Sequence, residues 1–422
     1  MEISATEAQA PHPSIRRRLM LGIVPGLMAF SMGQTVLFAI AGPVFREIGL
    51  GEAQLGIMIS SAAVVLMLAS TVWGAVSDRW GRKVSIVCGL ATYGALSVVF
   101  ALVMNAGLDG VLDSGRVFIT LVVLRLLIAA FGAGIQPAAV ALMADSSSHE
   151  ERSSAVATVG AAFGLGMILG PASASLLVGI DVLMPLYFVA ALGLAGSVVA
   201  ITVLPRHVAR PPATAEGRGT LPLAALSPLI ASMTLLYLGM SVVQQTLAFN
   251  VQDILGTDSV ATARLAGFLF LAVAVGMLAM QGGVIQFLKP SPRVLLMLGV
   301  PAILLGHICY AFADSYALLV LALATMGVGF GLSSPAISAA ASILTGVDAQ
   351  GRIAGVMQAA MAGGFVVGPI LGTTLYEIER GYAAQLALVV AIAASVLLAG
   401  WLLLRGAALG APREEAPSIN NG

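Results

Sequence analysis

Apolar residues in this chain gather into twelve long runs separated by short polar breaks. The runs cover approximately 19–44, 53–76, 84–104, 117–143, 154–178, 183–204, 227–250, 263–287, 294–313, 316–344, 353–376 and 382–404. Each is about twenty residues, the length a helix needs to cross the hydrocarbon core, and far longer than a transmembrane strand. In lipid every backbone polar group needs a partner within its own segment, so helices are the consistent choice. The pattern therefore predicts an all-α membrane protein with twelve transmembrane helices.

Composition agrees. Hydrophobic residues are 59% and charged residues 9% of 422, against roughly 45–50% and about 25% in a soluble domain. The lipid bilayer is the expected environment. No P-loop, metal-ligand cluster or zinc motif is present, and no polar segment is long enough for a catalytic domain, so an enzyme is not expected. Neither cofactor nor metal nor nucleic acid is called for, and a monomer is expected. Cys88 and Cys309 fall inside runs three and nine at no metal or disulfide spacing, and read as buried small hydrophobes. Arg16, Arg17 and Arg18 before the first run imitate a signal peptide. That run is long, carries Gln34 and ends in no Ala-x-Ala site, so it reads as a retained span.

Basic residues set the expected orientation. With the amino end inside, fifteen of the twenty Lys and Arg fall in inner segments. Four (Arg46, Arg116, Arg264, Arg380) lie outside, and Arg125 lies within a span. Both termini are thus expected in the cytoplasm, the chain crossing a bacterial inner membrane. The longest inner connection, 205–226, is rich in Pro, Gly and basic residues, as linkers are. It divides the chain into a tail (1–18), a six-helix bundle (19–204), the linker, a second bundle (227–404) and a tail (405–422).

The halves echo each other. "QTVLF" at Gln34–Phe38 returns as "QTLAF" at Gln245–Phe249, an offset of 245 − 34 = 211. "GMILGP" at 166–171 returns as "GFVVGP" at 364–369, an offset of 198 that Pro137 and Pro335 share. Three matches in the same order predict two related bundles in parallel repeat, with a substrate site between them near the midplane.

The charged hairpin between runs two and three, "GAVSDRWGRK" at 74–83, stands out in so apolar a chain. Gly81 supplies a turn, and Arg79, Arg82 and Lys83 supply inner-face anchors. Asp78 adds nothing to topology and calls for a partner. The stretch resembles the G-x-x-x-D-R-x-G-R-K loop signature of the major facilitator superfamily at every fixed position. The resemblance extends over all twelve spans and implies a transporter of two pseudo-symmetric six-helix bundles. It implies a gating role for Gly74, Asp78, Arg79, Gly81, Arg82 and Lys83, which would lock the inner face against the second half in the outward-open state.

Arg125 in "LRLLIAAFGAG" matches the family's arginine of helix 4, although the usual Gln and Gly after it are here Ile128 and Ala129. Such an Arg costs about 2.5–3.5 kcal/mol on insertion scales, and so faces a cavity or partner unless it snorkels outward. "GMILGPASAS" resembles the G-x-x-x-G-P-x-x-G-G motif of the drug:proton antiporter branch, with Ala174 and Ser175 for the final glycines. The likeness implies that Gly166, Gly170 and Pro171, with their echoes Gly364, Gly368 and Pro369, serve close helix packing, span 5 against its neighbour across the halves.

In that family, spans 1, 4, 7 and 10 line the cavity. Gln34, Phe38, Arg125, Gln136, Tyr237, Gln244, Gln245, Phe249 and Asn250 are then the candidates for substrate contact or coupling, with Gln358 of span 11. Gln34/Phe38 and Gln245/Phe249 are i,i+4 pairs, each an amide beside a ring, suited to moderately polar, partly aromatic molecules. Every Asp and Glu falls at or beyond a span end, with Glu47, Asp253 and Glu377 nearest on the outer side. His307 reads as structural. A neutral or anionic substrate thus fits better than a cation, and proton coupling is implied by the resemblance alone. The expected function is export of small drug-like organic molecules by alternating access, driven by a proton gradient. A dedicated metabolite, siderophore or sugar exporter, a proton symporter or facilitator, and a non-transporting receptor are the alternatives.

Overall fold

The computed structural model describes residues 13–147, 152–205, 221–345 and 349–405. Much of the expected linker and both tails lies outside these. Twelve helices long and apolar enough to span a membrane are present. They are α1 (Pro13–Ile48), α2 (Glu52–Trp80), α3 (Arg82–Leu108), α4 (Ser114–Asp145), α5 (Arg152–Leu177), α6 (Met184–Val203), α7 (Leu223–Leu255), α8 (Ser259–Leu288), α9 (Pro292–Ala311), α10 (Tyr316–Leu344), α11 (Gln350–Ile378) and α12 (Arg380–Arg405).

Local chemistry explains where these helices stop and bend. Gly81, at φ 95°, is the single residue between α2 and α3, a conformation that favours glycine. Asp113 and Asp258 cap α4 and α8 by accepting the backbone N–H of Arg116 and Ala261 at 3.0 and 2.7 Å. Span four is interrupted at Ala133–Gly134, three residues before Pro137, which has no amide hydrogen to donate. Trp73 of α2 exploits the break: its indole N–H donates to the Ala130 carbonyl at 2.6 Å. Its ring lies where a Cβ at Gly134 would come within 2.9 Å. In α8 the helix widens into a π turn over Ala279–Ile285.

Helices α1–α6 and α7–α12 form two bundles, in which α1 packs on α5 and α6 as α7 packs on α11 and α12. The bundles meet along two equivalent helix pairs, α2 with α11 and α5 with α8, while α1 also touches α7 and α8. One apolar core runs through both bundles, with Val36, Phe45, Leu247 and Phe249 fully buried in it. A second core (Leu19, Ile23, Leu90, Leu142) belongs to the first bundle alone. Large apolar side chains such as Leu68, Ile119 and Val396 are exposed, as a lipid environment allows.

The cysteines differ from expectation: Cys88 is exposed and Cys309 half-buried. Hydrocarbon solvates a small apolar side chain as readily as a protein core does, so apolarity does not predict burial here.

Candidate functional site

The face carrying the α2–α3 hairpin is called the loop face below, and the opposite one the far face. The far face is closed by charged and aromatic side chains that link the bundles. Arg46, near the end of α1, places Nη1 2.6 Å from Asp253 Oδ1 and Nη2 3.1 Å from Oδ2, on α7. Its Nε donates to Glu52 Oε1 at 2.7 Å, and Nη1 also reaches Gln252 at 3.2 Å. The guanidinium stands 4.8 Å from the Phe249 ring centroid, a cation–π distance. Tyr376 of α11 donates to Asp253 Oδ2 at 2.6 Å and packs its ring 5.9 Å from Phe249. Glu377 accepts the Ala53 amide at 2.7 Å, at the start of α2, where the helix dipole favours an acid. Ser259 donates to Glu47 at 2.6 Å.

Beneath this latch lie two matching close approaches. A Cβ at Gly56 (α2) would stand 1.9 Å from Thr373 Oγ1 and 2.7 Å from the Pro369 carbonyl (α11). A Cβ at Gly267 (α8) would stand 2.1 Å from Ser175 Oγ and 2.8 Å from the Pro171 carbonyl (α5). Gly56 and Gly267 are 267 − 56 = 211 apart, and Ser175 and Thr373 are 373 − 175 = 198 apart. The two contacts are one clasp repeated with the same offsets as the sequence echoes.

The loop face is arranged in the opposite way. Every described hydrogen bond between the bundles falls in the far half, including Ile370 N to Ser60 Oγ and Ser175 Oγ to the Arg264 carbonyl. On the loop-face ends of α2, α5, α8 and α11, a Cβ at Gly74, Gly160, Gly164, Gly282, Gly283, Gly351 or Gly355 would meet nothing within 4 Å. The same four helices that clasp at one end are apart at the other.

The hairpin residues engage their own bundle in this state. Asp78 pairs with Arg82 one turn on, and Arg82 also reaches Ser77 Oγ at 3.1 Å and Asp145 of α4 at 3.4 Å. Lys83 donates to the carbonyls of Ile201 and Leu204 at 2.6 Å each, capping the end of α6. Arg79 is exposed, and Gly81 makes the turn.

The mid-membrane candidates separate into groups. Arg125, 9% exposed, donates to Gln34 Oε1 at 2.8 Å. Phe38 is half-buried with its ring 6.0 Å from Phe270 of α8. Tyr237 bonds Ser334 at 3.0 Å and packs against Phe330 and Phe365. Gln136 and Gln244 are half-buried, and Gln358 is exposed. Gln245 is buried at 5%, unlike its counterpart Gln34. Phe249 and Asn250 belong to the far-face seal, the latter accepting from Arg380 at 3.0 Å. The glycine stripes pack within their bundles: Gly166 and Gly170 against Met28 and Met32 of α1, Gly364 and Gly368 against α7. The contact of α5 across the halves, expected of that stripe, comes from the carbonyl of Pro171 and from Ser175 instead. His307 is buried, with Nδ1 2.8 Å from the Ile303 carbonyl.

Sequence reading did not single out Arg46, Glu52, Tyr376, Asp145, Gly56 or Gly267. Arg46 and Asp253 carried a signal, as opposite charges at the same end of two repeat-related spans. The glycines carried one too, since 56 and 267 share the offset of Gln34 and Gln245.

Twelve helices in two repeat-related bundles, clasped at one face and parted at the other, define a two-bundle membrane transporter. The sequence matches the Major Facilitator Superfamily over residues 23–369, and the chain belongs to that family. It is 25% identical over 393 residues to Multidrug resistance protein 1 of Bacillus subtilis (strain 168), covering 90% of this chain and 95% of that protein. With Multidrug resistance protein 2 of the same strain it shares 22% over 379 residues, 87% and 91% of the two chains. Among solved structures, a bacterial homolog of the human lysosomal transporter Spinster, inward-facing and occupied, superposes with a TM-score of 0.70. That match has 15% identity, over 94% of this chain and 97% of the other.

Proposed function

We propose that this chain is a secondary active transporter that expels small, amphipathic, drug-like organic molecules by alternating access, in exchange for protons. The observation that carries the reading is the opposite treatment of the two faces. The far latch of Arg46, Asp253 and Tyr376 is made while the loop-face ends of the same interface helices stand apart. A passage shut at one end and parted at the other is one half of a transport cycle. Similarity to two multidrug resistance proteins supports the substrate class. The excess of basic residues supports a cytoplasmic loop face and cytoplasmic termini.

The other half of the cycle closes the loop face. There Asp78 exchanges its bond to Arg82 for contacts with the second bundle, and the bare glycines of α2 and α5 let α11 and α8 approach. Protons act at the far latch, where the carboxylates nearest the pathway sit. Protonating Asp253 removes the charge that Arg46 meets on the second bundle and the carboxylate acceptor of Tyr376, and favours far-face opening.

The test is transport by purified protein in liposomes under an imposed pH gradient, following a lipophilic probe and internal pH together. Probe movement against proton flow is expected. Movement with the protons would make it a symporter, and no movement under any gradient would refute transport.

A further inference from the structure

Every described interior arginine but one has an acid or an amide on more than one side. Arg46 has Glu52, Gln252 and Asp253; Arg82 has Asp78 and Asp145. Arg125 has a single neutral partner, the carbonyl oxygen of Gln34. Among the described residues no carboxylate pairs with it, and its Nε has no hydrogen-bond partner at all. It is nine-tenths buried, about 16 Å from the far end of α4 at 1.5 Å per residue. A guanidinium does not shed its proton to escape such a place. A buried cation is stable only when something supplies the opposite charge.

The surroundings are built to receive it. Beside Arg125 is an internal cavity of about 10 Å³, the room of roughly one water, lined by Gly33, Leu37, Tyr93, Ser97 and Phe100. Tyr93 lines it, its hydroxyl shared between a long 3.5 Å contact to the Ala29 carbonyl and the Ser97 side chain. Gln34 is partly exposed while Arg125 behind it is not, so the amide covers the guanidinium. Its Oε1 stands where an anionic oxygen would bind. Phe38, one turn along α1 from Gln34, is half-buried and reaches across to Phe270 of the second bundle.

We propose that Arg125, covered by Gln34, is a binding site for a monovalent anion, filled during transport by the acid group of an amphipathic aromatic substrate. The acid displaces the Gln34 carbonyl from the guanidinium, gaining charge-assisted hydrogen bonds in place of a neutral one. The substrate's ring lies against apolar and aromatic surface such as Phe38. The inference rests on the transport reading above and narrows its substrates to organic acids. Inorganic chloride has the same charge and could occupy the same place, which the experiment separates.

Full-length protein in a zwitterionic buffer free of chloride and of carboxylate anions is titrated with 2-naphthoate and with methyl 2-naphthoate, which differ in charge at one group. The acid is expected to bind about tenfold tighter than the ester. Arg125→Gln brings the ratio to about one and Arg125→Lys to an intermediate value, each checked for unchanged helicity and monodispersity. Equal affinity for acid and ester in the unaltered protein, or an acid preference that survives Arg125→Gln, overturns the proposal. Chloride is then titrated in: weakened naphthoate binding shows one site taking either anion and supports it. An Arg125-dependent rise in thermal stability with chloride, in protein that ignores naphthoate, makes the ion structural and overturns it. In liposomes, movement above that of protein-free vesicles is what counts, and such movement of the ester but not the acid defeats this inference alone. Movement of neither compound, nor of any lipophilic probe, defeats the transport reading, while the binding ratio still decides the anion site.

Discussion

Gly56→Ala adds one methyl group at the closer of the two clasp contacts, and its effect can be worked out from the geometry. The new Cβ would stand 1.9 Å from Thr373 Oγ1, which a side-chain rotation relieves, and 2.7 Å from the Pro369 carbonyl, which only backbone movement relieves. Forcing a methyl group into a filled contact costs about 1–3 kcal/mol. Alanine also strengthens α2 as a helix by up to about 1 kcal/mol, but equally in both transport states. The clash exists only when the far face is shut, so the balance moves toward far-face opening by roughly 5- to 150-fold. Ala248, 1% exposed and facing Gly42 of α1, is a reporter for that opening. In protein with Cys88→Ser, Cys309→Ser and Ala248→Cys, the labelling rate with a membrane-impermeant maleimide should rise by that factor. Gly267→Ala should do the same through Ser175 and the Pro171 carbonyl. Unchanged labelling in both variants, with intact thermal stability, would refute the clasp.

Asp253→Asn removes the charge that holds Arg46 and Tyr376, so the same reporter should label several-fold faster. The pH dependence of the rate should flatten, because the variant mimics the protonated latch at every pH. Lys83→Ala uncaps α6 and should lower thermal stability slightly, by the order of 0.3–1 kcal/mol for a cation at a helix end, read by thermal unfolding. Asp78→Ala should abolish transport while leaving insertion and helicity intact, because it removes a loop-face closing contact and no core packing. Gln34→Ala and Gln245→Ala should differ: the first changes substrate profile, since Gln34 covers Arg125, and the second acts mainly on stability, since Gln245 is buried.

The spans, the repeat and the hairpin were legible in the residues because each is written in consecutive positions. Apolar length, turn glycine and clustered charge need no knowledge of neighbours. The latch was not legible, because Arg46 and Asp253 are 207 positions apart and look like ordinary span-end charges until the bundles are assembled. Phe249 and Asn250, read as cavity residues from their place beside Gln245, proved to be part of the far seal. An i,i+4 relation says which helix face a residue shares, not how deep in the membrane that face is covered. The same limit applies to Gly166 and Gly170, whose spacing announces a close helix contact without naming the partner.

By itself, the sequence determined the membrane environment, the number of helices and the twofold repeat, since hydration and backbone hydrogen bonding act on local segments whatever lies beside them. Only tertiary structure decided which charges pair, which glycines bear contact and which face is shut. Those outcomes depend on distances between helices far apart in the chain, and one chain adopts different distances at different points of its cycle.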